Sequence, residues 1–503
     1  MKKLLAVLLA TALLALPAGA TWSIVVVNPR TGEVAVATAT CLANFPLWRW
    51  VPLVVVGKGA GAAQSTIDGG ARNRLIMWHD LQAGWTPKEI LQDLIENGLT
   101  PATRQYGVAA FAGPAVTFSG AQCGQGLGNI TGRAGDCFYA IQGNLLTGAE
   151  PVLAAEAALV GTDGDLGQRI MAAMEAARAM GGDGRCSCDP ADPTGCGAPP
   201  PDFEKSAHCG LVYIARIGDI DGDCTSSYGC ATGEYYLKIS FSGLVEDPDP
   251  VFVLQGMYDT WRAGLAGRPD HVLSTASTPA QFLPADGTTS ATVSVRLVDV
   301  EGVPLAAGGA TVAASVAATA AASVGETSDH GDGSYSFPLI AGRKPGPVEV
   351  EITAEDGVVK ATLYPFLAVE VKEATPLFAG RDHVSAEETS EVALTLNVPE
   401  AAGRPYLILA SAAGTEPGFL WGEVLVPLNP DAVTWRSLVG RNGDVFRNTY
   451  GVLDGAGHAE AAFHAPAGLL TSLAGGRLDW AALILDPDAP VTNPVGFDVR
   501  PGP

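Results

Sequence analysis

The residue with the clearest chemical potential is Thr21, because of what precedes it. Residues 1–20 begin with Met and two lysines, continue in an apolar run and end in Ala-Gly-Ala, the pattern of a secretory signal with a small-residue cleavage site. Cleavage after Ala20 would give Thr21 a free α-amine beside its own hydroxyl. The pKa of such an amine is about 7.7–8.0, so it can accept the hydroxyl proton near neutral pH and make Thr21 a nucleophile for acyl transfer.

Position alone is weak support for this chemistry, since every exported chain has some residue after the cut. The neighbouring pattern strengthens it. Residues 24–27 read as a buried strand, 28–32 as a turn and 33–38 as a returning strand. An ordered hairpin therefore starts within three residues of the predicted cut, where exported chains commonly carry a few disordered residues.

The elements that must position Thr21 alternate between strands and helices. Helices are predicted at 70–82, 87–97 and 166–180, and short apolar strands at 53–56, 106–111, 115–119, 137–142 and 211–216. This order predicts a layered sandwich of sheets and helices.

The helix at 87–97 has the most readable ends. Thr86 and Glu89 form a capping box, Pro87 takes the first helical position and Gly98 supplies the stop. Its apolar spacing predicts an inner face made of Ile90, Leu91, Leu94 and Ile95.

All nine cysteines lie between Cys41 and Cys230, and most of them crowd into residues 186–230. In an exported protein such clustering favours disulfides that staple irregular loops. A zinc site is the alternative, although the one-residue gap between Cys186 and Cys188 is tighter than the usual spacing of zinc ligands. An odd number leaves one thiol unpaired, and Cys41 is the one we expect.

Five stretches carry a family resemblance: TWSIVVVNPRTGEVAVA at 21–37, VGKGAGAAQ at 56–64, QGNLLTG at 142–148, GGD at 181–183 and Ser206-Ala207. In this order they resemble the Ntn-hydrolase-like (N-terminal-nucleophile) family catalogued as domain of unknown function 1028. The resemblance covers about residues 21–264. The chain departs from the usual form in a Gly-, Pro- and Cys-rich surface insertion at about 184–205.

The resemblance implies an α+β four-layer αββα sandwich, with helices outside two stacked sheets and Thr21 in the cleft. For acyl transfer, Asn144 is the candidate oxyanion donor, because Gly143 beside it lets a ligand approach the backbone. Gln64 could orient substrate or donate a second hydrogen bond. Three further candidates could hold the α-amine or tune its pKa: Asp183, Lys58 and Ser206. Each side chain also has an ordinary structural alternative.

Beyond Pro269 the pattern changes to short strands rich in Thr, Val and Ala, without cysteine. DGSYSF at 332–337 and GPVEV at 346–350 are similar to filamin-like and invasin-like immunoglobulin repeats of bacterial surface proteins. We therefore expect an Ntn-hydrolase-like domain at 21–268, an immunoglobulin-like β-sandwich at 270–372 and a C-terminal β-sandwich at 375–503.

Charge and motifs exclude several function classes. The chain has 30 basic and 53 acidic residues, a formal charge of −23 that becomes −25 once residues 1–20 are removed, which disfavours nucleic acids and anionic membranes. No apolar stretch after the signal is long enough for a membrane span. We expect no cofactor, since the glycine-rich segment at 57–61 lacks a nucleotide-binding fingerprint.

No metal is expected either. The seven histidines show no metal-ligand spacing. The acidic residues at 219–223 resemble a calcium loop, but Cys230 stands where an EF-hand needs glutamate.

Two functions remain open from the residues. One is a secreted or periplasmic hydrolase of an amide or related acyl bond, acting through Thr21 on a small-molecule or peptide-like substrate. The other is a non-catalytic surface protein that uses the Ntn-like fold as a scaffold, with a cell-surface or glycan partner on the sandwich domains.

Overall fold

The computed structural model describes residues 21–317, 321–485 and 491–502. The chain forms two compact units, Met1–Leu265 and Ala266–Pro503, called here the N-terminal and C-terminal units. The predicted signal at 1–20 lies outside the described residues.

The N-terminal unit alternates strands and helices. Its strands are β1 (Thr21–Asn28), β2 (Glu33–Thr40), β3 (Pro52–Val55), β4 (Gly59–Ser65), β5 (Arg104–Ala110), β6 (Gly113–Ser119), β7 (Gly128–Ala134), β8 (Cys137–Asn144), β9 (Cys209–Ala215) and β10 (Leu237–Ser242). Its helices are α1 (Leu47–Trp50), α2 (Arg72–Ala83), α3 (Pro87–Asn97), α4 (Glu150–Gly161), α5 (Leu166–Ala179), α6 (Gly184–Ser187) and α7 (Pro250–Ala263).

These strands form two antiparallel sheets, six strands in the order β10-β9-β2-β1-β8-β7 and four in the order β3-β4-β5-β6. Helices α4, α5 and α7 pack on one face of the six-stranded sheet, in a core that includes Ile24, Ile141 and Ile170. Helices α2 and α3 pack on the four-stranded sheet. A separate core between the two sheets contains Val25 and Ala60.

The hairpin predicted directly after the signal is confirmed as β1 and β2, paired from Thr21–Thr40 to Asn28–Glu33. The capping box of Thr86 and Glu89 is confirmed at the start of α3. The predicted inner face of α3 is partly wrong, because Ile95 is 48% exposed while Ile90 and Leu94 are buried.

Three strands of the N-terminal unit had no counterpart in the sequence prediction. They are β4, β7 and β10, and each interrupts its apolar residues with glycine, serine or charged residues. Strand β4 is fully buried in spite of its glycines, because Gly59 lies so close to β5 that an added Cβ would stand 2.5 Å from the carbonyl oxygen of Ala109.

The C-terminal unit is built almost entirely of strands. Those up to residue 372 are β11 (Thr275–Ser277), β12 (Phe282–Pro284), β13 (Ser290–Arg296), β14 (Thr311–Val316), β15 (Ala322–Val324), β16 (Ser328–Asp329), β17 (Ser334–Ala341), β18 (Gly346–Glu355) and β19 (Lys360–Lys372). They form two sheets, β11-β13-β17-β15 with β16 on β17, and β12-β19-β18-β14.

The later strands are β20 (Leu377–Ala379), β21 (His383–Ser385), β22 (Ser390–Asn397), β23 (Pro405–Ser411), β24 (Phe419–Trp421), β25 (Val424–Val426), β26 (Phe446–Arg447), β27 (Tyr450–Val452), β28 (His458–Ala465), β29 (Arg477–Ile484) and β30 (Val495–Arg500), with one helix, α8 (Ala432–Val439). The main sheets are β20-β22-β28-β26 and β21-β30-β29-β23-β27. Inward residues alternate with outward ones along β13 and β17, as a sandwich requires.

Among the helices in the described ranges, none combines the length and the apolar character that crossing a membrane would need.

Candidate functional site

Strand β1 divides its side chains between two environments. Trp22, Ile24 and Val26 face the helices on the six-stranded sheet. Val25 and Val27 lie between the two sheets. Because strand side chains alternate, Thr21 and Ser23 share the inter-sheet face with the valines.

The space between the sheets is apolar at one end and polar at the other. Valines and alanines fill the apolar end, among them Val36 on β2 and Ala140 on β8. At the other end the same strands carry buried hydroxyl and amide side chains, here called the polar layer: Thr21, Ser23, Thr38, Thr40, Gln64, Gln105, Gln142 and Asn144. Burying polar groups costs free energy unless they are hydrogen-bonded. The polar end of the inter-sheet space is therefore the candidate functional site.

Thr21 lies in the middle of the polar layer. Its backbone pairs with Thr40 on one side and with Asn144 on the other. Its hydroxyl donates to Thr40 Oγ1 at 3.3 Å, and its side chain and backbone are 3% exposed. The register therefore brings the predicted nucleophile and the predicted oxyanion donor side by side on adjacent strands.

Gln64 reaches Thr21 from the opposite sheet. Its Nε2 donates to the Thr21 carbonyl oxygen at 2.7 Å and to Gln105 Oε1 at 2.8 Å. Its Oε1 accepts from Ser23 Oγ at 2.5 Å. Both ends of the amide are occupied, so Gln64 holds β1 in place across the inter-sheet space.

Gln105 continues this chain of hydrogen bonds. Its Nε2 donates to Ser119 Oγ and to the Gly143 carbonyl oxygen, each at 2.8 Å. Gly143 precedes Asn144 on β8. The four-stranded sheet thus fixes the backbone on both sides of the candidate site, through Gln64 at β1 and Gln105 at β8.

Gln142 differs from the other two glutamines of the polar layer, Gln64 and Gln105. Its side chain is 0% exposed, and within the described residues neither Oε1 nor Nε2 has a hydrogen-bond partner. It lies against Gly107 of the opposite sheet, where an added Cβ would stand 2.0 Å from Oε1. An unmade buried hydrogen bond costs about 1–3 kcal/mol, so Gln142 is held at the expense of stability.

Asp183 lies at the end of β2 nearest Thr21. Its fully buried carboxylate accepts a hydrogen bond from the backbone N–H of Cys41 at 2.7 Å and from Arg185 Nη2 at 2.9 Å. Cys41 directly follows Thr40, the strand partner of Thr21. The structure therefore brings Asp183 into the neighbourhood of Thr21.

Ser206 contacts Asp183 through its backbone. Its carbonyl oxygen accepts from the Asp183 N–H at 3.0 Å. Its own N–H and hydroxyl both donate to Asp249 Oδ2, at 2.6 and 2.8 Å. Ser206 therefore supports the Asp183 segment, and its hydroxyl is already committed.

Lys58 is not brought to the site. It lies exposed in the turn before β4, whereas Gln64 stands near the far end of that strand. At about 3.3 Å per residue, the six-residue separation places Lys58 roughly 20 Å from the Gln64 end. We assign it no role beside Thr21.

The disulfide prediction is confirmed in kind and corrected in detail. The bonds are Cys41–Cys186, Cys188–Cys196 and Cys224–Cys230. Cys41 is therefore paired, contrary to expectation, because the insertion folds back onto the end of β2. The buried free thiols are Cys123, Cys137 and Cys209, and burial raises the pKa of each.

The sulfurs of Cys41 and Cys186 and a ring nitrogen of His208 lie within 4.8 Å of one another. A metal would need the cysteines as thiolates, and the disulfide removes them as ligands. Burial and the nearby Lys205 lower the pKa of His208, so its imidazole is neutral at pH 7. The Cys41–Cys186 disulfide of this cluster therefore acts as a covalent cross-link beside Asp183.

Sequence reasoning missed five members of the polar layer: Ser23, Thr38, Thr40, Gln105 and Gln142. A signal was available, because β2 ends in alternating Thr-Ala-Thr and β8 ends in Gln-Gly-Asn after apolar runs. Polar residues that keep a two-residue period at the end of a buried strand share one face.

The chain was compared with known proteins. Residues 21–189 match the model of a family of unknown function, DUF1028. Residues 270–365 match the model of invasin domain 3. No functionally curated protein matches the chain.

Solved structures of both kinds are similar to the chain. Protein SPO2555 from Silicibacter pomeroyi, of the DUF1028 family, is 18% identical over 48% of this chain and 88% of its own, with a TM-score of 0.35. The adhesin InvE of Yersinia pseudotuberculosis is 14% identical over 45% and 59%, with a TM-score of 0.18. Invasin, a bacterial integrin-binding protein, is 11% identical over 95% and 60%, with a TM-score of 0.19.

Proposed function

We propose that this chain acts outside the cytoplasm as a surface or binding protein. The match of residues 270–365 to invasin domain 3 carries the proposal. The three disulfides of the N-terminal unit support it, since such bonds persist in oxidising compartments. In this arrangement, sandwich domains at 270–372 and 375–503 would place a head formed by 21–268, and engage a cell-surface protein or glycan.

Localisation tests the surface proposal. The full chain is expressed in a bacterial host, and intact cells are treated with a protease that cannot enter them. We expect cleavage of the chain on intact cells, or its recovery from the periplasm or medium, with its disulfides formed. A variant lacking residues 1–20 is the matched control and should stay inside and reduced. Retention of the full chain in the cytoplasm would contradict the proposal.

We also infer a second function for the N-terminal unit, an Ntn-type hydrolase within an αββα sandwich. The observation that favours it is the polar layer, which converges on Thr21 between two otherwise apolar sheets. Removal of residues 1–20 would leave the α-amine of Thr21 next to its hydroxyl. The Asp183 segment, tied by Cys41–Cys186, would shape the space beside that amine.

The proposed reaction is hydrolysis of an amide or related acyl bond. The Thr21 hydroxyl oxygen attacks the carbonyl carbon, and the α-amine accepts the hydroxyl proton. Asn144 donates a hydrogen bond to the oxyanion. The ammonium returns the proton to the leaving amine as the carbon–nitrogen bond breaks. Water then attacks the resulting ester, which releases the acid and restores the hydroxyl.

Two measurements test the hydrolase. The intact mass and N-terminal sequence of exported protein should show a start at Thr21 with a free amine. A β-lactone probe, which acylates activated hydroxyls, should then label Thr21. Labelling should disappear in Thr21→Ala, persist in Thr21→Ser and be unchanged in Thr31→Ala, a threonine in the β1–β2 turn. A blocked or different terminus, or equal labelling of Thr21→Ala, would remove Thr21 from the mechanism.

A further inference from the structure

The N-terminal unit has a cavity that lies apart from Thr21. Its volume is about 450 Å³, and its aromatic lining residues are Trp48, Tyr213 and Tyr228. Tyr213 pairs with Val36, at the apolar end of the inter-sheet space, whereas Thr21 pairs with Thr40. None of the polar-layer residues lines this cavity.

One wall of the cavity is a loop held rigid by covalent and hydrogen bonds, here called the stapled loop (219–233). The Cys224–Cys230 disulfide closes it. Within it, Thr225 and Gly229 exchange two backbone hydrogen bonds at 2.9 Å, and the Tyr228 N–H donates to Thr225 Oγ1 at 3.1 Å. A wall fixed before binding loses little conformational entropy when a ligand arrives.

Tyr228 stands on the stapled loop with 68% of its surface exposed. A large aromatic side chain that is this exposed and still fixed at its backbone offers a flat apolar face to a ligand. Trp48, a half-buried lining residue of the same cavity, offers a second flat apolar face. The ligand therefore has at least one flat apolar face of its own.

The charged groups of the cavity define the polar side of that ligand. Lys238 Nζ donates to the Gly233 carbonyl oxygen at 2.8 Å and lies 5.4 Å from the Tyr235 ring centroid, and burial lowers its pKa. One of its three N–H donors is therefore already committed to the stapled loop. The exposed Asp223 carboxylate makes no hydrogen bond or ion pair within the described residues.

An unengaged carboxylate accepts hydrogen bonds and repels anions. Hydroxyl groups from Thr225, Thr232 and Ser240 complete the lining. The matching ligand has an apolar face, several hydroxyl donors and no negative charge. A pyranose has this surface, since its axial C–H groups form one face and its hydroxyls the edge.

We propose that this cavity is a binding site for a neutral saccharide of one or two pyranose rings. One ring stacks on Tyr228 or Trp48, and vicinal hydroxyls donate to the Asp223 carboxylate. The stapled loop holds Tyr228 and Asp223 in place before the sugar binds. The site lies in the N-terminal unit, separate from the sandwich domains, and is independent of the Thr21 reaction.

Saccharide titration of the mature chain, residues 21–503, tests the site. Lactose, maltose, cellobiose and chitobiose are added at millimolar concentrations and followed by saturation-transfer NMR and calorimetry. We expect saturable binding of at least one of them. Tyr228→Ala and Asp223→Asn should each weaken it about tenfold or more, a change of about 1.4 kcal/mol, whereas Tyr228→Phe keeps the stacking face and should bind normally.

The matched control is Trp435→Ala, which removes an equally exposed aromatic side chain from the C-terminal unit. Both test positions are exposed, so unfolding temperatures should stay unchanged and loss of binding will report on the cavity. Three results would overturn the proposal: no binding of any of the four sugars, equal binding by Tyr228→Ala and Asp223→Asn, or tighter binding of glucuronate than of neutral sugars.

Discussion

Both units stack β-sheets face to face, but they fill the space between the sheets differently. In the C-terminal unit the facing residues are apolar, with Val293, Phe337 and Ile352 in the first sandwich and Phe463 and Trp480 in the second. In the N-terminal unit the same kind of space is apolar at one end only. The other end holds the polar layer around Thr21.

Apolar burial stabilises a fold at about 25 cal/mol per Å², or about 1.5–3 kcal/mol for one buried side chain, whereas a buried amide or hydroxyl gains only about 0.5–1.5 kcal/mol net from each hydrogen bond. The polar layer is therefore not explained by stability. The covalent ties follow the same division, since all three disulfides lie in the N-terminal unit. The C-terminal unit relies on packing, whereas the N-terminal unit adds three cross-links, of which Cys41–Cys186 lies beside the polar layer.

The largest expected effect comes from the longest cross-link. Replacing Cys41 and Cys186 by alanine opens a bond that spans 145 residues, and should destabilise the N-terminal unit by about 4–5 kcal/mol through the entropy of the unfolded chain. The control pair, Cys188 and Cys196, spans 8 residues and should cost about 2–3 kcal/mol. Denaturant unfolding checks both.

The unfolding transition of the C-terminal unit should not move in either cysteine variant. A shift there, or an equal loss from the two pairs, would contradict the division between a cross-linked unit and a packed unit.

Next in size is a packing change in the C-terminal unit. Trp480 is fully buried among Phe446, Phe463 and Phe497. Trp480→Ala should cost about 3–5 kcal/mol, because it removes a large apolar side chain and leaves a cavity. Trp435→Ala, at a position 68% exposed, should change stability by less than about 0.5 kcal/mol. A comparable loss from both tryptophans would show that packing does not dominate this unit.

Two substitutions in the polar layer should change the stability of the N-terminal unit in opposite directions. Gln64→Leu should destabilise by about 1–3 kcal/mol, because it removes the donor to Gln105 Oε1 and to the Thr21 carbonyl oxygen, together with one of the two acceptors of the Ser23 hydroxyl. Gln142→Leu has nearly the same volume and removes an amide that makes no hydrogen bond to any described residue, so it should stabilise by about 1 kcal/mol. If Gln142→Leu destabilises as strongly as Gln64→Leu, the Gln142 amide is satisfied in solution.

Local rules made much of this architecture predictable. The capping box at Thr86 and Glu89 fixed the start of α3, and the turn at 28–32 fixed the pairing of β1 with β2. That pairing placed Thr21 opposite Thr40. The positions of Asn144 beside Thr21 and of Asp183 near it agree with the stretches that carried the family resemblance.

Three features of the N-terminal unit depended on non-local contacts. The partner of Cys41 is 145 residues away, and no spacing rule can supply such a contact. Lys58 and Gln64 lie in one motif of the sequence, but the strand between them separates their side chains. The orphaned amide of Gln142 depends on what the opposite sheet presents, namely Gly107. Each case needs the tertiary fold.

The smallest expected effect is a difference in the sign of pH dependence between the units. In the N-terminal unit, burial raises the pKa of Asp219 to about 6, against two backbone donors and Arg216. In the native protein Asp219 keeps its proton up to about pH 6, whereas in the unfolded chain it loses the proton near pH 4. The contribution of Asp219 to the free energy of unfolding therefore falls as pH rises from about 4 to 6. Asp219→Asn should become progressively more stable than wild type over that range.

In the C-terminal unit, Asp299 behaves in the opposite way. Burial opposes its ionisation, but backbone N–H groups of Gly267, Val303 and Glu301 outweigh burial and lower its pKa. The contribution of Asp299 to the free energy of unfolding is therefore present above about pH 4, and it is lost as pH falls through the lowered native-state pKa. Asp299→Asn should cost stability at pH 6 and little in acid. Parallel pH profiles for the two variants, measured by thermal unfolding against wild type, would contradict the assigned environments.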